Sequence, residues 1–572
     1  MPKIVTVKQM RAIEKATDAA GHTYADMMQL AGRAVTERAK DHLRGVADPR
    51  VVVLVGPGNN GGDGLVVARL LLEEVNDCAV GALLLAPRDA DDDVFAAAQE
   101  AGVVLIDAEA DRTDDFAQLF DWVMGADVII DALFGTSLRL PLEGDAVDVL
   151  ESVHRALAHR RAEDLPPAYT TPANPEPIIR ADDPVIIAVD CPSGLDCDTG
   201  EVDELALTAH ETVTFAAAKP GLLTFPGANY VGHLHLGDIG LPVPLPELDK
   251  IALTLVDAAE SGARLPQRPL DSHKGTFGKA MVVAGSLNYT GAAYLAAAGA
   301  YRVGAGLVTG ASPQIIVPML AGMLPEATWL LLPHDMGVIN EAAVRVLREE
   351  IADYDAMLLG PGFGREDVTG EFLRELLVPQ EQERRSRAIG FVQDAPTNAE
   401  VEAAHAELPP LVIDADALNL LAGMDDWARL VPPGTILTPH PGEFARLANI
   451  DTADVAADRL ALAIDKAAEW DCVVVLKGAF TVIAAPDGFA AVLPFASPAL
   501  ASAGTGDVLA GAIVGLLAQG LAPFDAALVG GWLHGMAGVR AAELIGTAAS
   551  VMAGDVLEML PEALAQAENA RG

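Results

Sequence analysis

Cysteine is scarce in this 572-residue chain: Cys78, Cys191, Cys197 and Cys472 are the whole complement, and no two form a CxxC pair. That argues against a zinc knuckle or a redox dithiol and suits thiols kept reduced in a cytosol. No HExxH occurs, so the helical zinc-protease signature is missing as well. Lysine is the second shortage, with ten residues against 28 arginines. The 81 acidic and 38 basic side chains leave a formal charge of −43. Such a charge repels nucleic acid and anionic membranes, and neither is an expected partner. Acid spread evenly over a lysine-poor chain suggests a halophilic protein in a salt-rich cytosol, although a merely acidic protein reads the same way. No uninterrupted apolar run reaches membrane length: the greasiest stretch, 508–537, carries Pro523 and Asp525 and predicts two buried helices. The opening segment, MPKIVTVKQMRAIEKATDAAG, lacks the apolar core of a signal peptide, which predicts a cytoplasmic protein.

Hydrophobic residues make up 51%, enough to exclude disorder despite the charge, and the length suits two to four domains. After a helical region over about 7–44 comes VVVLVGPGNNGGDG: a buried strand at 51–55, a Gly-rich turn and a helix over 64–74. AVGALLLA, GVVLID, ADVIIDALFG and PVIIAVDCPSG continue the series. Short apolar strands alternating with helices predict a parallel sheet wound on both faces. A Pro- and acid-rich stretch at 161–183 reads as an inserted surface loop. Past a proline-punctuated segment, a second α/β series begins with KAMVVAGS and a small-residue helix over 291–305. It continues through GLVTGA, AMLLGPG, LVIDADA, TILTPH, CVVVLKG and FTVIAA to helices from Gly506 onward, with a second insertion expected over 380–408. The predicted division is a domain over 1–245, a linker over 246–265 and a domain over 266–572.

Gly56-x-Gly58-x-x-Gly61 has the form of a dinucleotide-binding turn, but its filling differs. Asn59, Asn60, Gly61, Gly62 and Asp63 put a carboxylate and two carboxamides where bare N–H groups would receive a pyrophosphate. Asp63 can instead cap its helix, and the asparagines can instead serve the turn. Two more strand ends carry acid: Asp131 closes VIID, and Asp190 closes VIIAVD ahead of Cys191-Pro192-Ser193-Gly194. Ligands of open parallel sheets lie beyond the carboxyl ends of the strands, so these residues gather at one edge. Oxygen-only donors suit a hard cation and leave a further carboxylate for proton transfer.

The succession GxGNNGGDG, DALFGTSLRLP, VDCPSGLDCDTG and FAAAKPG resembles the NAD(P)H-hydrate epimerase family over about 1–245. The resemblance implies a potassium ion held by Asn60, Asp131 and Ser193. It also implies a hydrated-nicotinamide site lined by residues 59–63 and by Gly135, Thr136, Ser137, Leu138, Arg139, Leu140 and Pro141. Asp190 is then the acid/base residue that interconverts the C6 epimers. Lys219 has three readings: it holds a phosphate, balances the carboxylates, or is an ordinary loop lysine.

Ala501-Ser502-Ala503-Gly504-Thr505-Gly506-Asp507 is a small-residue loop opening a helix, an anion hole at a positive helix end. Acid among transferring phosphates is unfavourable unless it accepts a proton from an attacking hydroxyl, so Asp507 reads as a general base, with an N-cap as the bland alternative. Lys477-Gly478-Ala479-Phe480-Thr481 follows a buried strand and can reach a nucleotide. Thr438-Pro439-His440-Pro441-Gly442-Glu443 ends another, His440 either touching substrate or holding its loop. Gly360-Pro361-Gly362-Phe363-Gly364 ends a third, and no Walker A pattern occurs.

GTGD after KGxxT resembles the ribokinase-like superfamily. TPHPGE, GPGFG and HKGTFGKAMVVAGSLNYTGAAYLAA narrow this to the ADP- or ATP-dependent NAD(P)H-hydrate dehydratase family over about 266–565. That resemblance implies substrate contacts from Ala292, Gly364, His440, Pro441, Gly442, Glu443 and Asp507. Nucleotide contacts would come from residues 477–481 and from Ala499, Leu500, Ala501, Ser502, Ala503, Gly504, Thr505 and Gly506, with Mg2+ accompanying ADP. The implied chemistry phosphorylates the 6-hydroxyl and then expels phosphate, a far better leaving group than hydroxide.

Together the two resemblances imply two three-layer α/β domains, an N-terminal Rossmann-like parallel sheet and a C-terminal ribokinase-like sheet. They imply repair of NADHX and NADPHX: epimerisation of the R and S forms, then dehydration of the S form with release of AMP and phosphate. A homo-oligomer is expected. The rival is a ribokinase-like small-molecule kinase with a non-catalytic N-terminal ligand-binding domain. A dehydrogenase reading of the first turn is weakest, because its pocket is electronegative.

Overall fold

The apolar run VVVLV forms a strand that is covered on both faces: β1 (Arg50–Val55) has five of its six residues buried. Beside it lie β2 (Ala79–Leu84) and β3 (Val104–Asp107) on one side, and β4 (Val128–Ala132), β5 (Val185–Val189), β6 (Glu211–Phe215) and β7 (His233–Gly237) on the other. The order is β3-β2-β1-β4-β5-β6-β7, parallel throughout. Winding therefore reverses between β1 and β4, and the loops leaving those two strands flank a crevice at the switch point.

The computed structural model describes residues 2–89, 91–136, 138–163, 183–378 and 408–571. These divide into two units, Pro2–Ile251 and Ala252–Gly572. Most of the two expected insertions, 164–182 and 379–407, lies outside the described residues. The expected N-terminal helical region is two helices, Val7–Ala19 and Tyr24–Leu43. Gly21 turns the chain between them with a φ of +99°, and Thr23 starts the second helix through a capping box with Asp26.

The second unit contains β8 (Leu253–Leu255), β9 (Lys279–Val283), β10 (Leu307–Pro313) and β11 (Thr328–Leu332), then a small hairpin of β12 (His334–Asp335) and β13 (Val338–Ile339). There follow β14 (Ala356–Leu359), β15 (Leu411–Ile413), β16 (Ile436–Leu437), β17 (Val473–Leu476), β18 (Val482–Ala484) and β19 (Ala490–Val492). The large sheet runs β11-β10-β9-β14-β15-β16-β17-β18-β19-β8. It is parallel from β11 to β17, and β18 pairs antiparallel with both neighbours.

Residues 246–265, expected as a linker, are structured. Pro246–Asp249 is a helical turn in the first unit, β8 pairs with β19, and helix Ala258–Arg264 follows. Leu255 and Val256 are buried there, so the flanking prolines bound an edge strand rather than a free tether. The greasy stretch forms helices Thr505–Ala518 and Pro523–Ile545, as expected from Pro523. Among the described residues no helix is long and apolar enough to cross a membrane.

Candidate active sites

In the first unit the helix after β1 spans Asn59–Glu74, starting earlier than the expected position 64. Its N-cap is Gly58, without a side-chain cap, so Asp63 lies inside the helix and does not cap it. A Cβ on Gly56 would fall 1.7 Å from the Leu133 carbonyl oxygen, which is why only glycine fits where the β1 and β4 ends converge. Arg88 laces the turn: Nη2 donates to the carbonyls of Gly56 (3.0 Å) and Gly58 (2.8 Å), while Nη1 pairs with Asp92.

Asp131, at the end of β4, is fully buried. Its two oxygens accept the Ser193 hydroxyl (2.6 Å) and the Ser193 N–H (2.8 Å). Ser193 Oγ in turn accepts the Phe134 N–H at 3.0 Å. Next along the chain, the Cβ position of Gly135 is 3.0 Å from Asn60 Oδ1. Burial pushes the Asp131 carboxyl up; hydrogen bonds from Ser193 and Leu133 oppose this, and no cationic side chain contributes. Asn60 Nδ2 is buried without a partner among the described residues. A buried carboxylate without counter-charge, and an orphaned amide on the neighbouring loop that presents oxygen when turned over, are donors of the kind that fit a hard cation. Among the described residues no group of three or more His, Cys, Asp or Glu could hold a metal ion.

Asp190 leaves β5 with a φ of +64°. Its Oδ1 accepts Lys219 Nζ (2.5 Å), Thr214 Oγ1 (3.0 Å) and the Phe215 N–H (3.3 Å). Among the described residues Oδ2 has no hydrogen bond and remains for a ligand. Lys219 is fully buried and also donates to Thr214 at 2.7 Å. A lysine so enclosed balances Asp190, which removes its reading as a phosphate holder. Asp63 and Glu14 respond to the same charge: burial, then Asp190, raises both carboxyls above their ordinary range. Glu14 was not among the expected site residues. Its helix is drawn toward the site by the Ile4–Ala218 bridge and by Arg11, whose Nη2 donates to Thr136 O at 3.4 Å. Leu138 packs on the core and Arg139 is exposed, whereas Ser137 lies outside the described residues.

In the second unit Asp507 occupies the first turn of helix Thr505–Ala518. The N-cap is Gly504 at φ +89°, so Asp507 is no cap. Burial and then Asp414 raise its carboxyl to about 7, against the pull of Lys477. Lys477 Nζ donates to Asp414 Oδ1 at 2.8 Å, and Thr438 Oγ1 donates to the same oxygen at 2.7 Å. Burial works against the ammonium, yet Asp414 and Glu443 hold Lys477 above the usual lysine range. Nζ stands 3.4 Å from the Cβ position of Gly506, at the head of the small-residue loop. Thr505 Oγ1 closes that loop by donating to Leu500 O and Ser502 O, each at 2.9 Å.

His440 caps helix Pro441–Ala448: Nδ1 accepts the Gly442 N–H at 3.0 Å, and the His440 N–H donates to Glu443 at 2.9 Å. One ring nitrogen is thus structural, and Nε2, 3.4 Å from Glu443, is on a half-exposed ring. Gly364 N donates to Asp416 at 3.0 Å, and the Cβ position of Gly362 is 2.8 Å from Ala292 Cβ, so the GPGFG loop adjoins helix Thr290–Arg302. Asp414 was missed in the sequence although it obeys the strand-end rule that identified Asp131. Arg459, described below, follows no motif.

Residues 280–562 match the family described as NAD(P)H-hydrate dehydratase, and residues 24–221 match the one described as YjeF-related protein N-terminus. A bifunctional NAD(P)H-hydrate repair enzyme of Moorella thermoacetica is 38% identical over 551 residues, 95% of this chain and 92% of that one. The enzyme of that name in Salinibacter ruber is 36% identical over 586 residues, 99% and 96% of the two chains. Among solved structures, an ADP/ATP-dependent NAD(P)H-hydrate dehydratase from Bacillus subtilis, co-crystallised with ATP and Mg2+, is 30% identical and covers 55% of this chain and 99% of its own, with a TM-score of 0.42. With nearly its full length matched at this identity, the chain belongs to the family of bifunctional NAD(P)H-hydrate repair enzymes.

Proposed function

We propose that the chain repairs hydrated NADH and NADPH in two chemically separate sites. The first interconverts the R and S epimers at C6. The second dehydrates the S form at the expense of ADP, releasing AMP and phosphate. The observation that carries this reading is the presence, in one chain, of Asp190 with one oxygen unused by its hydrogen bonds at one sheet edge and Asp507 in the first helical turn after a small-residue loop in the other unit.

In the epimerase site the C6 hydroxyl sits on a carbon bonded to the ring nitrogen. Asp190 Oδ2 takes the hydroxyl proton, the C6–N1 bond opens to an aldehyde, and N1 receives a proton from a neutral carboxyl. Asp63 and Glu14, both raised by burial and by Asp190, are suited to give it. Reclosure on the opposite face inverts C6 and returns both protons. Asn60, Asp131 and Ser193 would hold a potassium ion, which would supply fixed positive charge beside the substrate.

In the dehydratase site Asp507 takes the proton of the C6 hydroxyl as its oxygen attacks the terminal phosphoryl of the nucleotide. Lys477, at the loop head, faces the charge that gathers on the phosphoryl oxygens, and Mg2+ bound with the nucleotide would neutralise more of it. The N1 lone pair then expels phosphate from C6, and loss of a C5 proton restores the dihydronicotinamide. The proposal includes a homo-oligomer in a cytoplasm.

Incubation of mixed NADHX epimers with ADP–Mg2+ tests the whole reading through the near-ultraviolet absorbance of NADH. Complete recovery is expected. A stop at the S-epimer fraction removes the epimerase, and a stable phosphorylated product in place of free phosphate favours the kinase rival.

A further inference from the structure

Arg459 opens helix Arg459–Trp470, in the stretch between the TPHPGE and KGAFT motifs and in neither of them. Its side chain turns back onto the end of β17. Nη1 donates to Ala479 O at 2.6 Å, and Nη2 donates to Leu476 O and Lys477 O, each at 3.1 Å. Its Nε is buried with no partner among the described residues. Burial alone accounts for its lowered pKa, with no carboxylate contributing. In a chain with 81 acidic residues an acid partner is easily supplied, so a guanidinium buried without one stands out against the pairing of Arg88 with Asp92 in the other unit.

The turn it holds is unusual in shape. Gly478 has a φ of +143° and Phe480 a φ of +52°. A Cβ on Gly478 would lie 2.8 Å from Arg459 Nη2, so the guanidinium occupies the space a side chain there would need. Three carbonyl oxygens converge on this one group. Without a cation between them their dipoles would repel, and the turn would open or rotate its peptides. Lys477 belongs to the same turn, and its ammonium is already fixed at the head of the anion loop by Asp414.

We propose that Arg459 is a positioning residue for the nucleotide: it fixes the 477–481 turn in its ligand-receiving shape and leaves an unbalanced positive charge beneath the polyphosphate. This rests on the reading of that turn as a nucleotide contact.

The test uses the full-length chain, whose epimerase activity lies in the other unit and reports on intact protein. Arg459→Ala is expected to weaken ADP–Mg2+ binding, measured by calorimetry, by about tenfold to a hundredfold, as for loss of charge-assisted hydrogen bonds. The KM for S-NADHX should move less than about threefold, as expected when a distant contact is untouched. Arg459→Lys, which keeps the charge but not the fork, should recover part of the loss. Gly478→Ala should weaken ADP binding as well, and the double variant Arg459→Ala/Gly478→Ala should be no worse than the poorer single one. Unchanged ADP affinity in Arg459→Ala overturns the proposal, as does an equal loss of affinity for both substrates. If Arg459→Ala does not fold, Arg459→Lys with wild-type affinity and Gly478→Ala with wild-type affinity overturn it instead. Failure of the wild-type chain to bind ADP or ATP sinks the nucleotide reading itself, a result distinct from a variant that binds as well as wild type.

Discussion

Asp414 bears on both Lys477 and Asp507: it accepts from the ammonium at 2.8 Å, and after burial its charge is the next cause that raises the Asp507 carboxyl to about 7. A general base works only when ionised, so dehydration at saturating substrates should climb about tenfold per pH unit up to about 7 and then level. Asp414→Asn removes a raising charge and frees Lys477, and both effects move the inflection to lower pH. A profile flat from pH 5 to 8 contradicts the assignment. Asp507→Asn should lower kcat by about 10²- to 10⁴-fold with epimerase turnover unaltered.

Lys219→Met leaves Asp190 without its buried partner. Breaking a buried pair on one side costs about 3–5 kcal/mol, so the urea midpoint should fall and epimerisation should slow together. Asp190→Asn, which keeps the shape and drops the charge, should abolish epimerisation while sparing the dehydratase; NADH recovery from mixed epimers would then stop at the S fraction.

Epimerase turnover should depend on potassium, measured by replacing it with a bulky organic cation at constant ionic strength. Asn60→Ala should raise the potassium concentration needed for half-maximal rate, because it removes one donor beside the uncompensated Asp131. Equal rates in both salts would remove the cation from this site.

At the opposite end of the first sheet, Glu211 is gripped by Arg38 through two hydrogen bonds (2.8 and 3.0 Å) and by His42 at 2.8 Å. The Arg38 contact leads in holding its carboxyl down at about 2, from an ordinary 4.5. The folded value is the lower one, so this stabilisation is complete above pH 4.5 and disappears as pH falls to 2. It amounts to about 3 kcal/mol, and Glu211→Gln should flatten that part of a stability-versus-pH curve.

Much of this was legible in the chain because buried parallel strands write themselves as continuous apolar runs. β1, β4 and β5 lie close to where VVVLV, VIID and VIIAV predicted them, and two of the expected strand-end residues, Asp131 and Ser193, are hydrogen-bonded to each other, while Asp190 pairs with Lys219 and Thr214. Glycine misled at the helix start: Gly61 and Gly62 look like turn residues, yet they are helical because the helix packs closely against its neighbours. Proline misled at 246–265, where it brackets an edge strand. Glu14, Arg88 and Arg459 reach their sites by long side chains from elsewhere in the sequence, and local pattern carries no trace of such reach.

Each crevice contains one of the chain's ten lysines pressed against an aspartate, Lys219 with Asp190 and Lys477 with Asp414. Acylation by an amine-selective reagent, followed by peptide mass spectrometry that resolves all ten lysines, therefore reads Lys219 in one half and Lys477 in the other against the remaining eight. Lys219, sealed from water, should acquire label only as fast as its half opens, whereas Lys477 should lose reactivity when nucleotide fills the loop beside it.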